Sequence, residues 1–552
     1  MDQSESQEKP RNDTKPPRRR RSFPWWCRIG IAIECLLAII FQTTNLLDDR
    51  AVANIATQVV LALAAGTVIG WFLFYGRSRT AQRNALALSV LAVVLLAVLF
   101  RIDHVGGGLI PKFSFRFGPK PDRRLDQNLS EIPDDGTRPK VDLVTTTIDD
   151  FPQFLGPARS NAVDGPRLAR DWTATPPRKL WREPIGAGWS AFSVVNGHAV
   201  TMEQRGDREM TTCYDLETGR LEWANSSFTR FETTMAGTGP RSTPTIDQGK
   251  VFSLGANGRF VCLDGATGRC LWEKNLRKEV GTTDEDDAEA VVHGRAGSPL
   301  VVGDLVVVPG GGPIHGEKFS LLAYRRQTGE LAWKGGNRQI SYSSPMITTL
   351  GGVEQILIVN EDFVSGHDPT NGNVLWEHSW PGKTGPNPNV SQPVPLPPDR
   401  VFLSKSYGRG ASVVQLLPQG DGTFTVNTAW DNRRAMKTKF CNVAMLDGFA
   451  YGLSDGVLQC IDVKTGQSRW KDGDYQFGQI LRSNDLLLVL AENGEMVLVE
   501  AKPDEANHVL GRFQALEGMT WNNIALAGRY LVVRNAEEAA CFELPLDENG
   551  DI

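Results

Sequence analysis

Cys213-Tyr-Asp-Leu-Glu-Thr-Gly-Arg-Leu-Glu-Trp223 decides the fold, because the chain keeps writing it again. It returns as Cys262-Leu-Asp-Gly-Ala-Thr-Gly-Arg-Cys-Leu-Trp272 and as Cys460-Ile-Asp-Val-Lys-Thr-Gly-Gln-Ser-Arg-Trp470. Two looser copies lie between, Tyr324-Arg-Arg-Gln-Thr-Gly-Glu-Leu-Ala-Trp333 and Asp368-Pro-Thr-Asn-Gly-Asn-Val-Leu-Trp376. In all five a Gly (Gly219, Gly268, Gly329, Gly372, Gly466) precedes the Trp by four residues. In four of them an Asp (Asp215, Asp264, Asp368, Asp462) precedes that Gly by four. A register held this tightly over tens of residues marks a repeat architecture.

The chemistry of the unit is structural. An Asp followed by Thr-Gly is turn chemistry: the carboxylate caps nearby amides and Gly supplies a left-handed residue cheaply. The Trp that follows reads as the start of a strand whose indole is buried against an adjacent unit. Upstream lie two more short strands, for example 242–254 and 258–263. Each unit is thus a four-stranded antiparallel meander, the ~40–50 residues of a propeller blade.

Spacing predicts how many blades there are. Successive Gly positions are separated by 49, 61, 43 and 94 residues, and the last step demands a hidden copy. The stretch from Ser391 to Trp430 supplies it, with strands and the Trp but a rewritten turn. Two further units follow Trp470, and Lys179-Leu-Trp181 looks like a final strand detached from its blade. The expected fold is an all-β propeller of eight four-stranded blades, closed by pairing the two ends of the domain so that no sheet edge is left free.

Three apolar stretches precede it, at about 25–47, 51–75 and 85–102, each near the ~20 residues that cross a bilayer. Residues 1–24 form a basic polar tail with the run Arg18–Arg21, and the loop after the second stretch carries Arg77, Arg79 and Arg83. Cytoplasmic loops carry the excess of Lys and Arg. That rule places the N-terminus in the cytoplasm of an inner (plasma) membrane protein with three spans and the propeller in the periplasm. Glu34, inside the first stretch, is either a membrane-embedded functional carboxylate or part of a marginal span. Residues 104–150 are expected to be an extended or loosely packed linker, with the propeller domain at 151–552. A net charge of −5 gives no electrostatic reason to expect nucleic acid.

The Asp-x-x-Thr-Gly-x-x-x-Trp units, with strands such as Gly297-Ser-Pro-Leu-Val-Val-Gly-Asp-Leu-Val-Val-Val, resemble the tryptophan-docking repeats of PQQ-like (pyrrolo-quinoline quinone repeat) β-propellers. These include quinoprotein alcohol dehydrogenases and the BamB-type propeller of outer-membrane protein assembly. The opening Phe151-Pro-Gln-Phe-Leu-Gly-Pro157, together with the three spans, looks like the membrane-anchored PQQ-like proteins common in planctomycetes. The resemblance implies docking roles for Asp215, Gly219, Trp223, Asp264, Gly268, Trp272, Gly329, Trp333, Asp368, Gly372, Trp376, Trp430, Asp462, Gly466 and Trp470. It implies no activity by itself, since one fold hosts many. A quinoprotein dehydrogenase of this kind holds its quinone between a Trp and a disulfide of adjacent cysteines, beside a Ca²⁺. The chain contains no Cys-Cys pair.

No catalytic, cofactor-binding or metal constellation is expected. Cys213, Cys262 and Cys460 repeat on different blades and read as small buried hydrophobes. The acidic run Asp284–Glu289 reads as a solvated loop, and Pro309-Gly-Gly-Gly-Pro313 as a hairpin tip. Gly452-Leu-Ser-Asp-Gly456 fits a nucleophile elbow in letters only, and Glu505-Ala-Asn-His508 lacks a second metal pair. The irregular loops 225–241, 276–296, 310–318 and 379–390 are where binding tends to sit, with Arg230, Phe231, Arg241, His315, Tyr342 and Trp380 as exposed-type candidates. The leading expectation is a non-catalytic interaction scaffold with an envelope protein partner. A dehydrogenase using PQQ with calcium and a ligand-sensing propeller are the alternatives.

Overall fold

In the computed structural model, residues 23–44, 50–75, 79–127 and 141–547 are described. They form two compact units, divided after Phe100. The first holds three helices: α1 (Trp25–Thr43), α2 (Arg50–Tyr75) and α3 (Arg79–Leu99). All three are long and apolar enough to cross a membrane. Gln42 near the end of α1 donates to Asn54 and Thr57 on α2, at 3.0 and 2.9 Å. Glu34 is half-buried on α1.

The second unit is an eight-bladed propeller. Blades 1 to 7 occupy 193–228, 245–275, 300–335, 346–379, 394–432, 444–474 and 479–514, each four strands in chain order. Blade 8 pairs three strands at 525–543 with Arg178–Pro184 from the start of the domain. That strand joins the two ends of the propeller in one sheet, so the ring is closed. The first, innermost strands of successive blades lie against one another round the axis. Alternating side chains of neighbouring sheets fill the spaces between blades, as in the group Phe252, Phe260, Trp272, Val306, Val308 and Tyr324.

The Asp-Thr-Gly turn joins the third and fourth strands. In blade 1, Asp215 Oδ1 accepts from the Thr218 amide (2.8 Å) and hydroxyl (2.7 Å), and the Gly219 amide closes on the Asp215 carbonyl at 2.9 Å. Gly219 takes φ +71°, the left-handed region. Trp223 then stands opposite Cys213 beside a one-residue bulge.

The segment expected to be an extended linker is structured over its described residues. Phe100–Val105 and Pro111–Phe115 pair as a hairpin. Leu143, 1% exposed, fills the seam between blades 1 and 2 beside Val195, Trp223 and Leu263. The Gly249 amide donates to the Leu143 carbonyl. Leucine and valine at 141–144 give this stretch enough apolar surface to dock, which its polar neighbours concealed in the sequence. The acidic run is also not a loop: Asp284–Ala290 is a helix N-capped by Thr283, and its Asp287 is buried against Arg295.

Candidate functional site

The repeats place Trp and Gly in a relay between blades. The Trp of one blade lies on the Gly of the next: Trp181 on Gly219, Trp223 on Gly268, Trp272 on Gly329, Trp333 on Gly372 and Trp430 on Gly466. Any Cβ at those glycines would come within 2.5–2.7 Å of the indole. Each indole N–H also donates to a carbonyl of that next turn, as Trp223 Nε1 does to Gly265 at 2.9 Å. Trp470 donates to Lys502 at 2.8 Å. Trp376 departs from the relay, because blade 5 has no Thr-Gly turn; its N–H turns to Gln355 in its own blade. The repeat cysteines pack within these seams, and burial pushes the Cys262 and Cys460 thiols up to about 12.

At the axis a second, polar relay links all eight blades. The Ala191 amide donates to Thr243 Oγ1, that of Thr243 to Ser298 Oγ, and that of Ser298 to Ser344 Oγ, at 2.9–3.1 Å. Ser344 N–H donates to Gln392 Oε1 and Gln392 N–H to Asn442 Oδ1. The Gln479 amide group donates to the carbonyls of Phe440 and Trp521, and Asn522 to those of Gly188 and Ser190. No fixed side chain announces this belt, because Thr, Ser, Gln and Asn all serve at the same position in different blades.

On one side of the belt the chain fills the axis with its own segment. The amides and carbonyls of Phe151 and Val194 pair reciprocally at 2.8 Å, and Pro152 accepts from Ile246. Ala162–Val163 adds a parallel strand to the inner edge of blade 7. Between these, Arg159 is 3% exposed and reaches three blades. Its guanidinium donates to the carbonyls of Ser298 (3.2 Å), Pro345 (2.8 Å) and Pro299, and to Thr245 Oγ1. Burial lowers its basicity to about 9.

On the other side lies an aromatic mouth. Trp189 and Trp521 pack at 4.9 Å between ring centroids, Phe440 and Trp521 at 4.7 Å, and Phe440 and Phe477 at 6.0 Å. The Lys439 ammonium stands 4.8 Å from the Phe477 ring centroid. The tip of the 100–115 hairpin covers this mouth. Gly107 N–H donates to Glu492 Oε1 (3.1 Å), and Lys439 Nζ donates to the Gly107 carbonyl (2.7 Å). Nearby, Lys405 is 3% exposed; burial, then Arg409, lowers its basicity to about 8.

The loop residues singled out from sequence fare differently. Trp380 and Tyr342 are buried rather than exposed, at 1% and 8%. Trp380 sits in the core group of blades 4 and 5, and Tyr342 donates to the Thr384 carbonyl. Arg230 is tied to Asp122 and Glu232, and Phe231 carries the Arg241 guanidinium 4.9 Å from its centroid. Only His315 is open to solvent.

Among the described residues one His/Cys/carboxylate group lies close enough to share a metal ion: His198, Cys213 and Glu222. Its hydrogen bonds already use both imidazole nitrogens. Nδ1 meets Glu222 Oε2 at 2.6 Å and Nε2 accepts the Asp142 amide at 3.3 Å. A metal on Nδ1 would require a proton on Nε2 and break the second bond. The group is a clamp on residues 141–143. Glu203, Tyr214 and Arg205 bond to one another within blade 1, and the fully buried Arg534 of blade 8 reaches in beside them, donating to Thr201 Oγ1 and the Met202 carbonyl. Burial opposes the Glu203 charge, but Arg205 and Arg534 outweigh it and hold the carboxyl below its usual range. Ser454 ends a strand before a tight Asp455-Gly456 turn, with no helix following.

A family model described as outer membrane protein assembly factor BamB matches residues 207–472. The chain is 31% identical over 100 residues to the quinohemoprotein alcohol dehydrogenase ADH IIB of Pseudomonas putida, a match spanning 17% of this chain and 13% of that protein. Among solved structures, a europium-containing methanol dehydrogenase superposes with TM-score 0.55 at 12% identity, over 72% of this chain and 98% of that one. BamB from Moraxella catarrhalis gives TM-score 0.47 at 14% identity, over 67% of this chain and all of that one (100%). At such identities the likeness is one of fold.

Proposed function

We propose that this chain, three apolar helices followed by a PQQ-like β-propeller of eight blades, is a non-catalytic interaction scaffold of the cell envelope. In this reading its N-terminus is cytoplasmic, its helices span the inner membrane and its propeller works in the periplasm, binding a protein partner through the loops around the mouth. The observation that carries the reading is that both ends of the axis are occupied by the chain itself: Phe151–Val163 on one side and the Gly107 tip on the other. Rigid rings whose axis is filled offer loops, not a cavity, for recognition.

PQQ with calcium fits these residues poorly. A planar quinone over the mouth would have to displace the hairpin tip, and no adjacent cysteines stand ready to stack on it. The candidate metal group found among the described residues includes a thiol and an imidazole, whereas Ca²⁺ takes six to eight oxygens. The dehydrogenase of alcohols or sugars is kept as a second reading because of the short match to a quinohemoprotein enzyme.

Two measurements on the full chain separate the readings. A photo-crosslinking residue at the exposed His315, on a mouth loop, should give a discrete protein adduct in native cells, while one at Thr267, on an outer turn, should not. No adduct above the unirradiated control would sink the scaffold. A saturable PQQ absorbance change in the presence of Ca²⁺, with a rise in melting temperature, would favour the enzyme.

A further inference from the structure

We propose that the hairpin at residues 100–117 is a membrane-interface element, seated by its aromatic side in the headgroup region of a bilayer. Ile102, Ile110, Phe113, Phe115 and Phe117 are 46–66% exposed; Phe113 and Phe115 share one face of the second strand, and Phe117 follows in the turn just after it. The Phe115 and Phe117 rings meet edge to face at 5.7 Å. Elsewhere on the propeller, exposed large apolar side chains are scattered, as Phe228, Leu271 and Leu417 are. A concentrated apolar strip needs an occupant.

Three observations name a lipid surface as that occupant. The hairpin begins at Phe100, the residue after the apolar helix α3 ends at Leu99, so along the chain the strip directly follows a segment able to span a membrane. Aromatic side chains collect at the boundary between hydrocarbon and water. The exposed Lys112 stands between Ile110 and Phe113 in the chain, which suits anionic headgroups, whereas Arg101 is turned to Asp103 and Lys120 to Glu232. Depth follows from the backbone. A two-stranded sheet has open edges whose amides and carbonyls need water, so it lies at the interface and not in the hydrocarbon. The tip is pinned to Glu492 and Lys439, and a Cβ at Gly107 would stand 2.3 Å from the Phe477 ring. The strip is therefore a fixed surface of the propeller. The proposal rests on the helices spanning a membrane and is independent of the scaffold reading.

The test uses the full chain in lipid nanodiscs containing phosphatidylglycerol. The two exposed cysteines are removed by Cys35→Ser and Cys270→Ser, and a spin label is placed at Phe113→Cys or, as a control, at Thr267→Cys. The label at 113 should be shielded from a water-soluble nickel chelate yet open to oxygen, and the control the reverse. Nickel access at 113 equal to that at 267 overturns the proposal. So does shielding from both reagents, which would mark a protein contact. A Phe113→Asp, Phe115→Asp, Phe117→Asp variant checks that folding is not at issue. It should keep the propeller's melting temperature in detergent while losing the nanodisc-dependent hydrogen-exchange protection of 100–117. Protection unchanged in that variant also overturns the assignment.

Discussion

The Trp172 side chain stands over Gly511: a Cβ at Gly511 would lie 2.6 Å from the Trp172 Cβ. Gly511 pairs with Leu498 one step before the bulge, the register at which Trp223 pairs with Cys213 in blade 1. Blade 7 thus has glycine where other blades have their docking tryptophan. Its neighbour, blade 8, is the one whose third and fourth strands are not joined by a turn. A strand-borne indole would have no turn to dock on there. The chain running into the fourth strand of blade 8 brings Trp172 instead, 4% exposed and 5.6 Å from the Phe513 ring.

Trp172 is accordingly expected to hold the ring closed. Trp172→Ala should cost about 3–5 kcal/mol, the usual range for emptying a buried aromatic site. Its indole N–H has no partner among the described residues, so Trp172→Phe should keep most of that stability. Denaturant unfolding of both variants checks the order. Gly511→Ala should resemble Trp172→Ala, since the new methyl displaces the indole. Equal stability of the Ala and Phe variants at 172 would show that Trp172 does not lock the seam.

The repeat glycines meet two demands at once, and substitutions can separate them. Gly268 has φ +70° and lies under Trp223; Gly303 has φ +55° with nothing within 4 Å of an added Cβ. Gly303→Ala should cost only the strain of a left-handed alanine, about 1–2 kcal/mol. Gly268→Ala should cost clearly more, because the Trp223 indole must also lift and lose its bond to the Gly265 carbonyl. Thermal melting of the two variants, with Trp fluorescence as a local probe, decides it.

How much of this was legible in the letters follows from what repeats. The docking units recur with fixed residue types, so the blade count, the hidden copy ending at Trp430 and the detached strand at Trp181 could be read directly. The belt could not. Thr243, Ser298, Ser344, Gln392 and Asn442 share a place and a role, but only the two serines share a side chain, and backbone geometry is what makes the five equivalent. Trp172 and Arg159 were hidden for another reason: each is used once, at the closure and the axis. Trp380 and Tyr342 looked like surface aromatics in irregular loops, yet those loops fold back and bury them. The second demand on each repeat glycine was missed because its partner indole belongs to the preceding blade.

Acid should loosen the buried loop packing around Tyr342 through His293, whose ring centroid lies 5.6 Å from that of Tyr342. Burial, then the nearby Arg241, lowers its basicity from 6.5 to about 4. Between those values the unfolded chain binds the proton and the folded one does not, so stability falls as pH drops from 6.5 toward 4. Above pH 6.5 the residue is neutral in both states and contributes no dependence. Carboxylates titrate in the same window, so the readout is a difference. His293→Asn should flatten part of the acid limb of a stability–pH curve while leaving values above pH 7 nearly unchanged. Curves that stay parallel across pH 4–7 would remove His293 from the account.

Arg159 offers the sharpest test of the filled axis. Its donors satisfy carbonyls on blades 3 and 4 and a hydroxyl on blade 2, and its neighbour Gln153 Oε1 accepts from Nε at 2.8 Å. Removing it strands several buried acceptors, each worth about 1–3 kcal/mol. Arg159→Met keeps the stem but none of the donors, and should lower stability by several such increments. Arg159→Lys should recover little, because a compact ammonium cannot reach acceptors spread over three blades as a planar fork does. Hydrogen exchange should locate the damage: faster exchange at Phe151 and Val194, whose mutual bonds seat the segment, with the strands of blade 6 unaffected. If Arg159→Met melts with the wild type and residues 151–163 stay protected, the segment is held by its flanking strand pairs alone. Arg159 would then be a guest of the axis and not its anchor.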